Sequence, residues 1–241
     1  VDPIAGGNTK VVISFNVSDA QGVSDINASK AVVNLTLGYE SGQWRENISD
    51  NGGEFGTCLN HTQSGAGGNR VVINCTITMR YFDNASSNWF INISVPDLSG
   101  AISRNATLSF THNTLSSLTL VNTFLNFTNV FLGQQDVSSK AFILNNTGND
   151  DFDKINITGA ALVGTATSSE TIAITNFYAN VTNGTAGLGA QLAATPVTLR
   201  ELAQTATDSV VNATLMHGHT DAFAPNRDKG NRTVFFWVDV P

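Results

Sequence analysis

Charge is what this chain has least of. Only 13% of its 241 residues are Asp, Glu, Lys or Arg, against about 25% in an average soluble domain. Hydrophobic residues make up 41%, which is enough for real cores and the reverse of a disordered composition. Some group other than ionic charge must therefore keep the folded surface in water. The twelve Lys and Arg are scattered and the net charge is -7. That excludes nucleic acid as a partner, because phosphate binding needs clustered cations. No apolar run approaches the ~18–20 residues that cross a bilayer, so no membrane span is expected. A basic stretch followed by an apolar run is also missing at the start. Val1-Asp2-Pro3 reads as already inside folded sequence, as in a processed chain.

What the chain has in excess is the glycosylation acceptor N-x-[ST]. It occurs at Asn16, Asn27, Asn34, Asn47, Asn60, Asn74, Asn84, Asn92, Asn105, Asn126, Asn145, Asn156, Asn180, Asn183, Asn212 and Asn231. With 27 asparagines and roughly a fifth of positions Ser or Thr, chance gives about five such sequons. Sixteen are present.

Their placement carries information too. In a strand, residues i and i+2 share one face and i+1 takes the other. The middle residues Val17, Leu35, Cys75, Ile93, Phe127, Ile157 and Val181 are all apolar. Such a sequon turns its Asn and its Ser or Thr outward while the residue between them enters the core. Over 71–79, Val71, Ile73, Cys75, Ile77 and Met79 fall on one face, and Asn74, Thr76 and Thr78 on the other. Glycans on these outer faces would solubilise the chain in place of charge.

Cys58 and Cys75 are the only cysteines. N-glycosylation implies a secretory route and an oxidising compartment, so a Cys58–Cys75 disulfide is expected. Two cysteines without nearby histidines do not make a zinc site.

Short β-prone segments recur between turns rich in Gly, Asn, Asp and Ser. Strands are expected over 11–17, 30–39, 71–81, 89–95 and 106–112. In the second half they are expected over 117–121, 124–130, 138–144, 154–158, 172–181, 210–216 and 234–240. Helical periodicity is nearly absent, and 196–205 is the one candidate helix. The pattern predicts an all-β chain of two tandem β-sandwich domains, 1–113 with one disulfide and 114–241 as a second surface or assembly domain.

Two stretches carry a resemblance. SFNVSDAQGVSDINASKAVVNLT (14–36) and NCTITMRYFDNASSNWFINISVPDLSG (74–100) resemble immunoglobulin-like domains of archaeal cell-surface proteins. The likeness rests on the turn of Asp19, Gly22, Asp25 and Asn27, the paired cysteines, and Asn88-Trp89 before a strand that ends at an acidic turn. In the second half, ILNNTGNDDFDKINIT (143–158) and RTVFFWVDVP (232–241) are similar to β-sandwich modules of archaeal S-layer-like and filament proteins. The resemblance implies extracellular assembly or adhesion, and no catalytic residues.

Other candidate chemistry is thin. Asp19, Asp25 and Asn27 could offer oxygens to calcium, as could the acidic run 149–153, but ordinary Asx turns explain both. His217-Gly218-His219 could present two imidazoles on one face near Asp221, with nothing to complete a metal shell. No metal or other cofactor is therefore expected beyond N-linked glycans. The five glutamates, Glu40, Glu46, Glu54, Glu170 and Glu201, sit in no recognisable context. Nucleophile elbow, P-loop and dinucleotide fingerprint are all missing, so no enzyme is expected. Trp89 and Trp237 read as core residues, and Trp44 stands in a polar stretch.

The expected role is a structural subunit of an extracellular filament, pilus or surface layer, polymerised with copies of itself. The alternative is a cell-surface adhesin or carbohydrate-binding module. Contacts between copies should use the sequon-free stretches 1–15, 186–211 and 213–230. Strand donation between copies, through 1–13 or 234–240, is one way to make them.

Overall fold

The structure, a computed structural model, describes residues 1–38, 43–46, 57–63, 70–167, 169–183, 189–201, 211–219 and 230–241. It is built of strands in several antiparallel sheets with almost no helix; short 3-10 turns at Val23–Asp25, Ala28–Lys30 and Ile174–Asn176 are its helical elements among the described residues. The chain forms two compact units. One comprises Val1–Ser117, Thr147–Asp150 and Gly218–Arg227; the other comprises Leu118–Asn146, Asp151–His217 and Asp228–Pro241.

The first unit contains β1 (Asn8–Ser18), β2 (Val32–Leu37), β3 (Trp44–Glu46), β4 (Thr57–Gln63), β5 (Arg70–Arg80), β6 (Ser86–Pro96) and β7 (Ile102–His112). They make two sheets, ordered β1-β5-β4 and β3-β2-β6-β7. Period-two alternation sets the register. Val11, Ile13 and Phe15 pair with Ile77, Cys75 and Ile73. Val33, Leu35 and Leu37 pair with Ile93, Ile91 and Trp89. The inward residues of both sheets share one core, in which Val33, Leu35, Ile73, Cys75, Ile77, Met79 and Trp89 are fully buried. Each such side chain contributes about 1.5–3 kcal/mol by leaving water. A one-residue slip would turn the set outward, which is why the register is fixed.

The second unit contains β8 (Leu118–Leu120), β9 (Val137–Ser138), β10 (Phe142–Asn146), β11 (Asn156–Ile157), β12 (Leu162–Val163), β13 (Thr171–Ile172), β14 (Phe177–Asn180), β15 (Ala190–Gln191), β16 (Val197–Thr198), β17 (Arg200–Glu201), β18 (Val211–Asn212) and β19 (Asn231–Val238). The main sheet runs β15-β14-β19-β10-β8, with β9 also on β19; β11-β16, β12-β13 and β17-β18 are separate pairs. Val234, Ala179, Leu199, Ala213 and Leu215 are at the centre of its core.

Three expectations change. Residues 124–130 form no strand; Asn129 adopts φ 55, a left-handed conformation that breaks a pleat, although Leu125, Phe127 and Val130 still pack on the core. The expected helix fails over 196–201, which is extended as β16 and β17. There, Leu199 is fully buried, donating its N–H to Ile155 O and accepting from Ala213 N at 2.9 Å each. Residues 202–205 lie outside the described ones. Four short strands were not foreseen: β3 and β4, both rich in polar residues, and the two-residue strands β12 and β15.

Candidate functional site

The sequons occupy strand faces and turns in both units. Asn16, Asn105, Asn126, Asn156, Asn183 and Asn231 are exposed, and Asn27, Asn34, Asn74, Asn84, Asn92 and Asn145 are half-buried. Asn180 is buried. Asn47 lies outside the described residues; Asn60 and Asn212 belong to β4 and β18, and their side chains are outside the description. The residues between the sequon positions go inward: Leu35, Cys75 and Ile93 are in the first core, and Phe127, Ile157 and Val181 pack on the second.

Pairing brings sequons together that are far apart in sequence. Asn34 on β2 faces Asn92 on β6 directly across the sheet, and Asn92 Nδ2 donates to Thr36 Oγ1, the hydroxyl of the Asn34 sequon, at 3.1 Å. Asn145 on β10 faces Asn231 on β19. Some acceptors are held by their own sequon. Asn105 Oδ1 accepts from the N–H and hydroxyl of Thr107 at 3.0 and 2.9 Å, and Asn27 Oδ1 accepts from the Ser29 hydroxyl at 2.8 Å.

Cys58 and Cys75 face each other across β4 and β5 with Cα atoms 4.0 Å apart and are joined as a disulfide. The bond staples neighbouring strands of one sheet, and Cys75 is fully buried beneath it.

The fold also gathers an acidic group that sequence reasoning only half found. Asp19 and Asp25 meet Asp97, with one carboxylate oxygen from each within 4.8 Å of the others. Hard cations take oxygen ligands of this kind. Asp97 arrives because Ile26 bridges to it, a cross-strand relation with no local sequence signal. The Ser99 hydroxyl and neighbouring amides hold the Asp97 carboxyl below its usual range, and Asp19 Oδ1 accepts from Gln21 N at 2.6 Å. Asn27 faces its own Ser29 instead.

The second acidic run disperses. Asn149 is buried in the first unit, with Oδ1 accepting from Leu115 N at 2.7 Å and Nδ2 donating to Asp83 O and Asn113 O at 3.1 and 3.0 Å. Asp150 accepts from the Ser116 hydroxyl. Asp151, in the second unit, pairs with His217 Nδ1 at 2.7 Å. The two histidines take different partners: His219, in the first unit, stacks on Phe82 at 4.9 Å between ring centroids. Asp221 lies outside the described residues. Trp89 and Trp237 are buried, and Trp44 is half-buried at the start of β3.

One feature had no sequence signal at all. The second unit holds a half-open apolar pocket of about 520 Å3 walled by Leu118, Leu125, Phe127, Phe142, Leu144 and Phe236, among others. Its lining suits hydrocarbon groups and gives water few partners.

These features define a β-sheet protein with a sequon-covered exterior, a disulfide and no helix long and apolar enough to cross a membrane among the described residues. No known protein family, curated protein or solved structure matches the chain.

Proposed function

We propose that this chain is the structural subunit of an extracellular, heavily N-glycosylated filament, pilus or surface layer. The observation that carries the reading is the sorting of the sequons: apart from Asn180, every acceptor with a described side chain is exposed or half-exposed, while Val17, Leu35, Cys75, Ile93 and Ile157, which lie between strand sequons, enter or pack on a core. A carbohydrate coat of this density solubilises a chain with little charge and shields its backbone from proteases. It leaves little bare surface for a receptor role.

The domains in this reading are immunoglobulin-like. The orders β1-β5-β4 and β3-β2-β6-β7 correspond to B-E-D and C′-C-F-G of that sandwich, with no counterpart of its first strand among the described residues. The β7 edge then calls for cover. Residues 102–109 of β7 are exposed throughout, and β7 has β6 as its neighbour in the sheet. Val1 supplies a template for what lies beside it: its N–H group donates to Thr111 O at 2.5 Å and its carbonyl accepts from Asn113 N at 2.9 Å, the pattern of a parallel bridge to His112. Copies of the chain join by strand donation along this edge, with the segment 1–7 of one copy extended as the donor onto its neighbour. The other candidate donor, 234–240, is less favoured, because β19 already lies between β14 and β10 in its own sheet.

Electron microscopy and intact-mass measurement of the native protein test the function together. A polymer whose subunits are heavier than the polypeptide supports it. Single particles of the bare polypeptide mass reject it. Deleting residues 1–8 should abolish polymerisation and leave the disulfide-bonded unit folded; unchanged assembly rejects strand donation.

A further inference from the structure

Asn180 and Asn183 begin two sequons three residues apart, Asn180-Val181-Thr182 and Asn183-Gly184-Thr185. By pattern they are equivalent: in each, the middle residue is apolar or small and the third is threonine. The fold treats them differently. Asn180 ends β14, an interior strand between β15 and β19, opposite Phe235. It is 1% exposed, and its Oδ1 accepts from Val181 N at 2.8 Å, while Val181 packs on the core. Asn183 lies beyond the strand and is exposed.

Resting on the reading of this chain as an N-glycoprotein, we propose that the fold admits a glycan at Asn183 and excludes one at Asn180, whose sequon is silent and whose role is structural. The chemistry sets the requirement. Nδ2 attacks the anomeric carbon of a phosphate-activated oligosaccharide donor. A C–N bond forms, the C–O bond to phosphate breaks, the lipid-linked phosphate leaves with the electron pair, and Nδ2 gives up one proton to a base. The acceptor asparagine must reach a transferase, and the product must leave room for a sugar ring bonded to Nδ2. Asn183 is exposed, as both conditions require. At Asn180 neither condition holds, since the side chain is enclosed and its carbonyl fixes the backbone at the end of an interior strand. A glycan there and the closed β14–β19 edge are mutually exclusive states.

The test is glycopeptide sequencing of the native, folded protein by electron-transfer fragmentation, which keeps the glycan on its residue, applied to the chymotryptic peptide 179–188. The expected result is a glycan on Asn183 and a bare Asn180. A glycan on Asn180 in protein that unfolds cooperatively overturns the proposal, and so does a bare Asn183 when other sequons are occupied. Bare asparagine at all sixteen positions overturns the glycoprotein reading itself. Two variants separate the roles further. Asn183→Gln should lower the intact mass by one glycan and leave thermal stability unchanged before glycan effects, measured on enzymatically or chemically deglycosylated material. Asn180→Gln should leave the glycan count unchanged and lower the unfolding temperature. A mass loss in the Asn180 variant would overturn the assignment.

Discussion

Arg45 on β3 and Asp83, in the turn after β5, form a two-pronged ion pair with both side chains fully enclosed. Arg45 Nε donates to Asp83 Oδ2 at 3.2 Å and Nη2 to Oδ1, while Nη1 donates to Trp44 O at 2.9 Å. Asp83 Oδ2 also accepts from Arg80 N at 2.8 Å. Burial pushes the Asp83 carboxyl up, and the Arg45 guanidinium pulls against it. Such a pair adds little net stability over an apolar one but is costly to break. Asp83→Ala should therefore destabilise the first unit by about 3–5 kcal/mol, read by denaturant unfolding. The double variant Arg45→Met/Asp83→Leu should recover most of that loss; an equally unstable double variant would show that the charges themselves are required.

Gly148 lies where the 147–150 strap crosses the backbone at Leu115. A Cβ there would land on the Leu115 carbonyl, and that carbonyl accepts from Asn149 N at 3.0 Å. Gly148→Ala should cost about 2–3 kcal/mol through overpacking and weaken the Asn149 hub. A variant with the parental unfolding midpoint would contradict this close approach.

Protonation of His112 should make stability pH-dependent. Its side chain is buried against Trp89, 6.4 Å between ring centroids, with Asn149 Nδ2 within 3.4 Å of Nδ1. Burial holds its pKa below the ordinary 6.5, against the pull of the Asp83 carboxylate. A depressed folded-state pKa means that the unfolded chain binds the proton more tightly. The stability from neutral His112 is complete above pH 6.5, and it is lost as pH falls from there through the folded-state pKa. Unfolding midpoints from pH 7.5 to 5 should decline in the parent and decline less in His112→Gln. Parallel curves would remove His112 as the cause.

The Cys58–Cys75 bond closes a loop with a sequence separation of 17. Constraint of the unfolded chain over that length contributes about 3 kcal/mol. Reduction, or Cys58→Ser with Cys75→Ser, should lower stability by about that amount, plus the effect of a hydroxyl in the buried Cys75 position. Chemical denaturation with and without reductant checks it; no shift would mean the reduced sheet holds its own register.

The strands of the first unit were legible because alternation there runs long. Over 71–79 the apolar face reads directly from sequence, and β5 buries all five of its members. The second unit was harder. Its strands run to two to five residues apart from β19, too short for periodicity to separate strand from coil, so 124–130 and 196–201 were misread. Asp97 at the acidic cluster and Asp83 beneath Arg45 were invisible for another reason: each meets its partners across tens of residues, through pairings that no local pattern encodes.

Sequence alone determined the all-β character, the alternation of core and surface, the single pair of cysteines and the positions of the sixteen sequons, because period-two patterning and sequons are written residue by residue. Tertiary structure alone decided which sequons face one another, which asparagine is enclosed, where three carboxylates converge and where an apolar pocket opens. Those depend on strand order and on what covers each face, and burial is a property of the packed chain rather than of any short stretch within it.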